Sequence, residues 1–287
     1  MTTRVASMAG WWLLTVMGAH GLAFVIVKVL PERAMSALGI AWVDTTVRSA
    51  FQIAHRDRSY FAALGDLFRG DLGQTLDGVP VNFELSQALA AGFPRLAAAM
   101  CLIIVSIGLV AFSPKRWLRG VAKVGSAMAF LPPFVAAFVA VAALLLLAPG
   151  HWSSAGPAIS VLAIAFPAAA LAVAQAARIT DRNLGLLFVT AARGAGYSAG
   201  RIRYRLAWNL AVEIMPTLEK VVLGLFSAAL FAESLLGQDG LGSLTLRAIR
   251  RNDTELILAV VLVFALTTST LRVCSELVRT RAGVLPA

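Results

Sequence analysis

The segment FVTAARGAGYSAGRIRYRLAW, which begins at Phe188, combines closely spaced Ala and Gly with four arginines. Side chains as small as those of Ala191, Ala192 and Gly196 let a second backbone approach closely. Arginine guanidinium groups bind carboxylates through pairs of hydrogen bonds. These residues therefore favour contact with another macromolecule rather than catalysis of a chemical reaction. Two partners fit these residues: a groove on a cytosolic protein and a layer of lipid head groups. The residues by themselves do not distinguish between them.

No residue spacing in the sequence is typical of a catalytic or nucleotide-binding site. The phosphate-binding pattern G-x-x-x-x-G-K-[ST] is absent, and the glycines of GQDGLG lack the preceding strand of a dinucleotide loop. The His, Cys and Glu residues do not have the spacing of metal ligands, and neither Cys101 nor Cys274 indicates a disulfide framework. We expect no enzyme, no metal site and no cofactor in this chain.

The composition is that of a protein that crosses a membrane several times. Of the 287 residues, 59% are hydrophobic and only 14% are charged, whereas a soluble domain carries roughly a quarter of charged residues. The net charge of +10 raises the alternative of nucleic-acid binding. However, the basic residues lie in loops between apolar runs, as is usual in membrane proteins, and we expect no nucleic-acid partner.

Six apolar runs approach the ~20 residues that a helix needs to cross a bilayer. The sequence therefore predicts an all-α membrane protein of about six transmembrane helices, with spans near residues 9–30, 93–112, 125–148, 158–177, 214–236 and 256–273. Arg4 before the first run would also suit a cleaved signal peptide, but the run is long for one, which favours a retained helix. The predicted organisation is an N-terminal helix (1–30), an extracytoplasmic loop (31–92), a five-helix core (93–273) with a coupling loop near 178–210, and a cytoplasmic tail (274–287).

The distribution of Lys and Arg predicts the orientation in the membrane. Fourteen of these residues lie on the side of the termini and of the segment 178–210, and nine lie on the other side. Because basic residues accumulate on the cytoplasmic side, we expect both termini in the cytoplasm and the loop 31–92 outside.

The motifs resemble those of the peptide/nickel-type family of ABC importer membrane subunits, in particular its B-type subunit. Thr190-Ala191-Ala192-x-x-x-Gly196 is similar to the E-A-A-x-x-x-G signature of these subunits, with Thr190 in the place of Glu. Four further stretches follow in the order and spacing of the family: RGDLGQTLDGVPV, FPRLAAAM, FPAAALAVAQAARITDRNL and FAESLLGQDGLGSLTLRAIRRNDTELI. The last of these has Asp239 where the family usually has Pro.

The resemblance implies a permease architecture of the type I importers and a set of partners. These are a second homologous permease subunit, two cytosolic ATPases that bind ATP and Mg, an extracytoplasmic binding protein and the lipid bilayer, in a bacterial inner membrane. The segment from Thr190 to Gly196 would dock into an ATPase, with Ser198 to Arg205 as its continuation. The residues implied in ATPase coupling are Thr190, Ala191, Ala192, Arg193, Gly196, Arg201, Arg203 and Arg205.

The resemblance also implies residues of the translocation path or outer gate, namely Glu233, Gly240, Gly242 and Asp253. A carboxylate near the end of a span is costly unless it has a partner. Glu233 could therefore bind a substrate amine or gate the path, or it could cap backbone N–H groups of the Gly-rich turn that follows. We expect Asp253, together with Arg251, to stabilise the turn before the last span.

Two other classes of function remain open at this point. A stand-alone secondary transporter would need ionisable residues within the membrane, and His20 and Glu233 are few for that task. A membrane scaffold would use the basic segment only as a lipid anchor.

Overall fold

The computed structural model of the protein describes residues 2–29, 60–147, 152–251 and 253–281. These ranges contain ten α-helices, which we number in chain order: α1 (Thr2–Val29), α2 (Tyr60–Phe68), α3 (Val81–Phe112), α4 (Lys115–Ala129), α5 (Pro133–Leu147), α6 (Trp152–Leu184), α7 (Leu187–Gly194), α8 (Ala199–Leu235), α9 (Leu241–Arg251) and α10 (Thr254–Arg281). Residues 31–59 of the predicted extracytoplasmic loop and residues 282–287 of the predicted tail lie outside the described residues.

Five of the helices in the described ranges are long and apolar enough to cross a membrane: α1, α3, α6, α8 and α10. A sixth span results if α4 and the start of α5 are taken together, although this pair is bent by 100°. The predicted all-α fold with about six spans is confirmed. Proline occurs inside α3, α6 and α8, which membrane helices tolerate because neighbouring helices satisfy the freed backbone groups.

Several helices begin earlier than their apolar runs. α3 begins at Val81, twelve residues before the predicted span, and α8 begins at Ala199 instead of near residue 214. In the added part of α3, the buried residues Val81, Leu85 and Ala88 repeat every three to four positions, which is the period of one helix face. A count of apolar residues detects only the lipid-embedded part of a helix, whereas backbone hydrogen bonding continues beyond it.

The predicted third span is divided. The basic stretch from Lys115, which we expected to be a loop, forms helix α4 together with the first residues of the predicted span. The break before α5 coincides with Pro132 and Pro133, because a proline ring clashes with the preceding turn of a helix. α4 is amphipathic: Leu118 and Gly125 are buried, and Lys115 is exposed.

Contacts divide the chain into two units, residues 1–92 with 239–270 and residues 93–238 with 271–287. In the second unit, α6 packs against α4, α5 and α8. Its buried face consists largely of alanine (Ala163, Ala165, Ala168, Ala172, Ala174, Ala176, Ala177). Small residues at helix contacts let backbones come close, which is how helices associate in lipid. Two buried apolar clusters in this unit also include residues of α3 and α8.

Candidate functional site

The corner between α6 and α8 contains the predicted small-residue segment. Helix α7 ends in a turn in which the N–H of Gly196 donates to Arg193 O at 3.0 Å and the N–H of Tyr197 donates to Ala192 O at 3.0 Å. Gly196 has a φ of +81°. This is the Schellman motif, which needs a left-handed residue just after the helix. The spacing A-A-x-x-x-G therefore corresponds to a helix end followed by the glycine that closes it.

The surface of this corner is exposed and partly apolar. Thr190, Ala191 and Arg193 are exposed, and Leu187 and Phe188 at the start of α7 are 88% and 43% exposed. By contrast, Val189 is fully buried in a cluster with residues of α3, α4, α6 and α8. The helix is thus anchored on one side and presents small residues and a cation on the other.

The residues after the turn belong to a different helix from the one we predicted. Ser198 caps the N-terminus of α8, accepting a hydrogen bond from the N–H of Arg201 at 3.4 Å. A serine in this position ends the preceding turn and begins a new helix. The segment from Ser198 to Arg205 is therefore the start of α8, which runs on to Leu235, and it does not continue α7 as we had expected.

The three arginines at the start of α8 differ in their surroundings. Arg201 lies over the ring of Tyr197, 5.9 Å from the ring centroid, and Arg205 is exposed. Arg203 instead donates to the carbonyl oxygen atoms of Ala111, at 3.3 Å, and Ser113. The last carbonyl groups of a helix accept no hydrogen bond from within the helix. Arg203 therefore supplies hydrogen-bond donors to the carbonyl groups at the end of α3.

Ion pairs connect the helices next to the corner. Arg182 and Asn183, at the end of α6, both bind the carboxylate of Glu213 on α8, the amide at 3.4 Å. Arg119 on α4 lies 3.5 Å from Asp181 on α6. These ion pairs are partly exposed, so their contribution to stability is small.

Glu233 lies in the last turns of α8, and its side chain is fully buried. Its carboxylate accepts a hydrogen bond from Arg95 on α3 at 3.1 Å. The same guanidinium donates to the side-chain oxygen of Gln238 at 3.0 Å. Sequence reasoning named Glu233 but missed Arg95. The sequence signal for this partner was Arg95 itself. It lies beside Pro94 at the start of an apolar run, where an arginine needs a counter-charge.

The other predicted gate residues lie in the first unit. Gly240 and Gly242 are buried at the start of α9, and the N–H of Gly240 donates to Ser243 Oγ at 3.0 Å. Asp253, just before α10, is buried and accepts hydrogen bonds from the N–H groups of Leu76 at 2.8 Å and Leu256 at 3.2 Å. Asp253 stabilises the start of the last helix, as expected, but it does so without Arg251, whose guanidinium binds Asp77.

One carboxylate in the loop before α3 and one in the first turn of α3 pair with α9. Asp77 binds Arg251, and Glu84 lies 3.1 Å from Arg247. Burial raises the pKa of Asp253 above its ordinary value; the hydrogen bonds from the backbone of Leu76 and Leu256 act in the opposite direction, while Asp77 and Glu84 raise it further. In this unit two of the three arginines of α9, Arg247 and Arg251, therefore pair with carboxylates of α3 and of the loop before it, and Asp253 joins loop and helix through backbone groups.

No group of three or more His, Cys, Asp or Glu residues that could hold a metal ion occurs among the residues described above.

Comparison with known proteins gives matches over most of the chain. Residues 90–281 match the family described as binding-protein-dependent transport system inner membrane component. The chain is 29% identical over 219 residues to the oligopeptide transport system permease protein OppB of Salmonella typhimurium, which covers 70% of each chain. It is 27% identical over 224 residues to the proteins of the same name from Mycobacterium bovis and Mycobacterium tuberculosis, covering 67% of this chain and 68% of each relative.

Proposed function

The chain belongs to the family of inner membrane components of binding-protein-dependent transport systems, and from this premise we propose that it is a B-type permease subunit of an ABC importer for peptides or related small solutes. The relatives are named as oligopeptide transport permeases, which supports a peptide-like substrate. ATP and Mg then act in partner ATPase subunits, and this chain couples their work to translocation.

The observation that carries this proposal is the exposed corner formed by α7 and its Schellman turn, which lies within the matched range of the family. A short helix that is anchored by Val189 and presents Thr190, Ala191 and Arg193 fits a groove on a second protein. Because the side chains are small, the backbone of the partner can come close, and the arginine can bind a carboxylate there.

The mechanism requires that movement of the corner reaches the membrane core. Val189 is buried against residues of α3, α4, α6 and α8, and α8 begins five residues after the end of α7. When two ATPases close on ATP, a displaced α7 would carry the start of α8 with it. ATP binding would thereby shift an equilibrium between inward-facing and outward-facing states.

On the opposite side we place the binding protein and the gate. The distribution of Lys and Arg supports cytoplasmic termini, so the loop before α3 and the turn around Gly240 would face outward and receive a substrate-loaded binding protein. Glu233, Gly240, Gly242 and Asp253 are then the residues of the outer gate or path. The second permease subunit, which we expect to be homologous, would supply the other half of the path.

The experiment that tests this proposal compares two exposed threonines. Thr190 lies on α7 and Thr280 at the end of α10. We expect Thr190→Trp to abolish both co-purification of the ATPase subunits in mild detergent and ATP-driven uptake in the host, because the ring would block close approach. Thr280→Trp, which introduces the same ring on the same predicted side of the membrane, should leave both unchanged.

The wild-type protein supplies the other control. Mass spectrometry of the wild-type purification should find a second permease and one or two ATPases. Recovery of the wild-type chain without an ATPase, or full uptake by the Thr190→Trp protein, would contradict the proposed coupling segment.

A further inference from the structure

The buried carboxylate of Glu233 is part of a cluster that joins three helices of the second unit. Arg95 of α3 binds both Glu233 and Gln238, at 3.1 Å and 3.0 Å. The side-chain amide nitrogen of Gln238 lies 3.5 Å from the position that a Cβ atom of Gly156, on α6, would occupy. The cluster therefore lies where α3, α6 and the end of α8 meet.

The turn after α8 brings the two acceptors to the same guanidinium group. Gly237 has a φ of +62°, and the N–H of Gln238 donates to Glu233 O at 2.8 Å. A left-handed residue with this hydrogen bond folds the chain back over the last turn of the helix. The side chains of Glu233 and Gln238 consequently face Arg95 together, although they lie five positions apart.

A second arginine ties the same two helices at their other ends. Arg203, in the second turn of α8, donates to the carbonyl oxygen atoms of Ala111 and Ser113 at the end of α3. α3 and α8 are thus joined near the corner by Arg203 and away from it by Arg95. Between these ties, both helices contribute to the same buried apolar clusters.

We propose that Arg95, Glu233 and Gln238 form an ionic latch that keeps α3 and α8 together throughout the transport cycle, so that movement of the coupling corner is transmitted by both helices as one body. This inference depends on the proposed function. Arg95 is a positioning residue in it, and Glu233 belongs to the outer gate as a structural residue that is held by a counter-charge and does not bind the solute.

The latch stays closed because separating the charges of Arg95 and Glu233 costs free energy. Opening the latch would separate a fully buried carboxylate from its guanidinium counter-charge in a low-dielectric interior, and that penalty exceeds the coupling free energy that conformational changes commonly carry. A conformational change driven by ATPase closure therefore moves Arg95 and Glu233 together, without separating them. Without the latch, the end of α8 can move independently of α3, and ATP hydrolysis proceeds without transport.

The first test measures solute uptake per ATP hydrolysed in proteoliposomes that contain the complete importer. We expect Arg95→Gln to lower this ratio at least about fivefold, with an unchanged KM for the solute because the latch does not touch it. Adding Glu233→Gln should recover part of the loss, because the double variant removes the buried negative charge together with its counter-charge. Arg272→Gln removes an exposed arginine that pairs with Glu276 within one helix, and it should behave as wild type.

The second test replaces the latch with a covalent link. In a protein with Cys101→Ala and Cys274→Ala, the pair Arg95→Cys and Glu233→Cys should be uncoupled in the dithiol form. A flexible bis-thiosulfonate reagent that joins the two thiols should restore uptake per ATP, and reduction should abolish it again. A linked protein that hydrolyses ATP but cannot transport would overturn the latch, since the two ends would then have to separate.

The outcomes distinguish this inference from the proposed function. If the wild-type complex shows no ATP-dependent uptake, the importer function itself fails. If wild type transports and Arg95→Gln retains the wild-type ratio, as Arg272→Gln should, only the latch fails. If Arg95→Gln does not insert into the membrane, the double variant and the linked protein still decide the question.

Discussion

At the scale of single residues, Gly196 is the clearest case of a position where the backbone geometry requires glycine. Its φ of +81° lies in the left-handed region, and no atom lies within 4 Å of the position of a Cβ atom there. A larger residue at position 196 would therefore strain the backbone, although its Cβ atom would not clash with a neighbouring group. Gly194, two residues earlier, is still helical and has an equally open environment, so it provides a matched comparison.

We expect Gly196→Ala to destabilise the Schellman turn by about 1–2 kcal/mol, the cost of left-handed backbone for an L-residue. Amide hydrogen exchange of residues 187–198 within the folded protein should then be roughly 5–30-fold faster. Gly194→Ala should slow exchange or leave it unchanged, because alanine favours the helix. Faster exchange in both variants, or in neither, would show that the left-handed turn is not what stabilises the corner.

At the scale of elements, the packing of α4 on α6 depends on the absence of a side chain. A Cβ atom on Gly125 would lie 2.9 Å from Ala170 O and 3.0 Å from the Cβ atom of Ala174. The first of these contacts is with backbone, which cannot rotate away. The two helices therefore approach more closely than any residue with a side chain would allow, as is common for helix pairs in lipid.

Gly125→Ala should destabilise the protein by about 1–3 kcal/mol, the usual cost of overpacking. The measurement is the thermal unfolding midpoint of the purified protein in a mild detergent, which should fall. Gly120 lies on the same helix with open space around it, and Gly120→Ala should leave the midpoint unchanged or raise it. Equal midpoints for the two variants would mean that α4 and α6 are not in close contact in the membrane.

At the scale of the whole molecule, the orientation predicted from charge decides which surfaces meet the ATPases and which meet the binding protein. Arg116, at the start of α4, is expected in the cytoplasm, and Arg69, after α2, is expected outside. Both arginines are exposed, so cysteines in their places can react with a thiol reagent.

In a protein with Cys101→Ala and Cys274→Ala, a membrane-impermeant maleimide added to spheroplasts should label Arg69→Cys. Arg116→Cys should be labelled only after the membrane is permeabilised. The reverse pattern would place the exposed α7 corner on the wrong side for an ATPase. It would refute the coupling mechanism while leaving the family membership intact.

Local features of the site were predictable because they depend on neighbours in sequence. The spacing of Ala192 and Gly196 encodes a helix end and its left-handed glycine, and the apolar runs encode the number of spans. The helix starts were missed, although Ile202, Leu206 and Leu210, all buried, have the spacing of one helix face. A search for uninterrupted apolar runs overlooks such a pattern.

The sequence by itself determined the membrane class, the family resemblance and the position of the small-residue segment that ends at Gly196, because composition, motif order and short-range spacing are properties of a linear chain. The tertiary structure alone decided that Arg203 caps the end of α3 and that Arg95 neutralises Glu233. Each of these partners lies about ninety residues or more away in the chain. Which helix faces meet is decided by the packing of the whole core, and a buried charge takes its partner from the helix that packing places beside it.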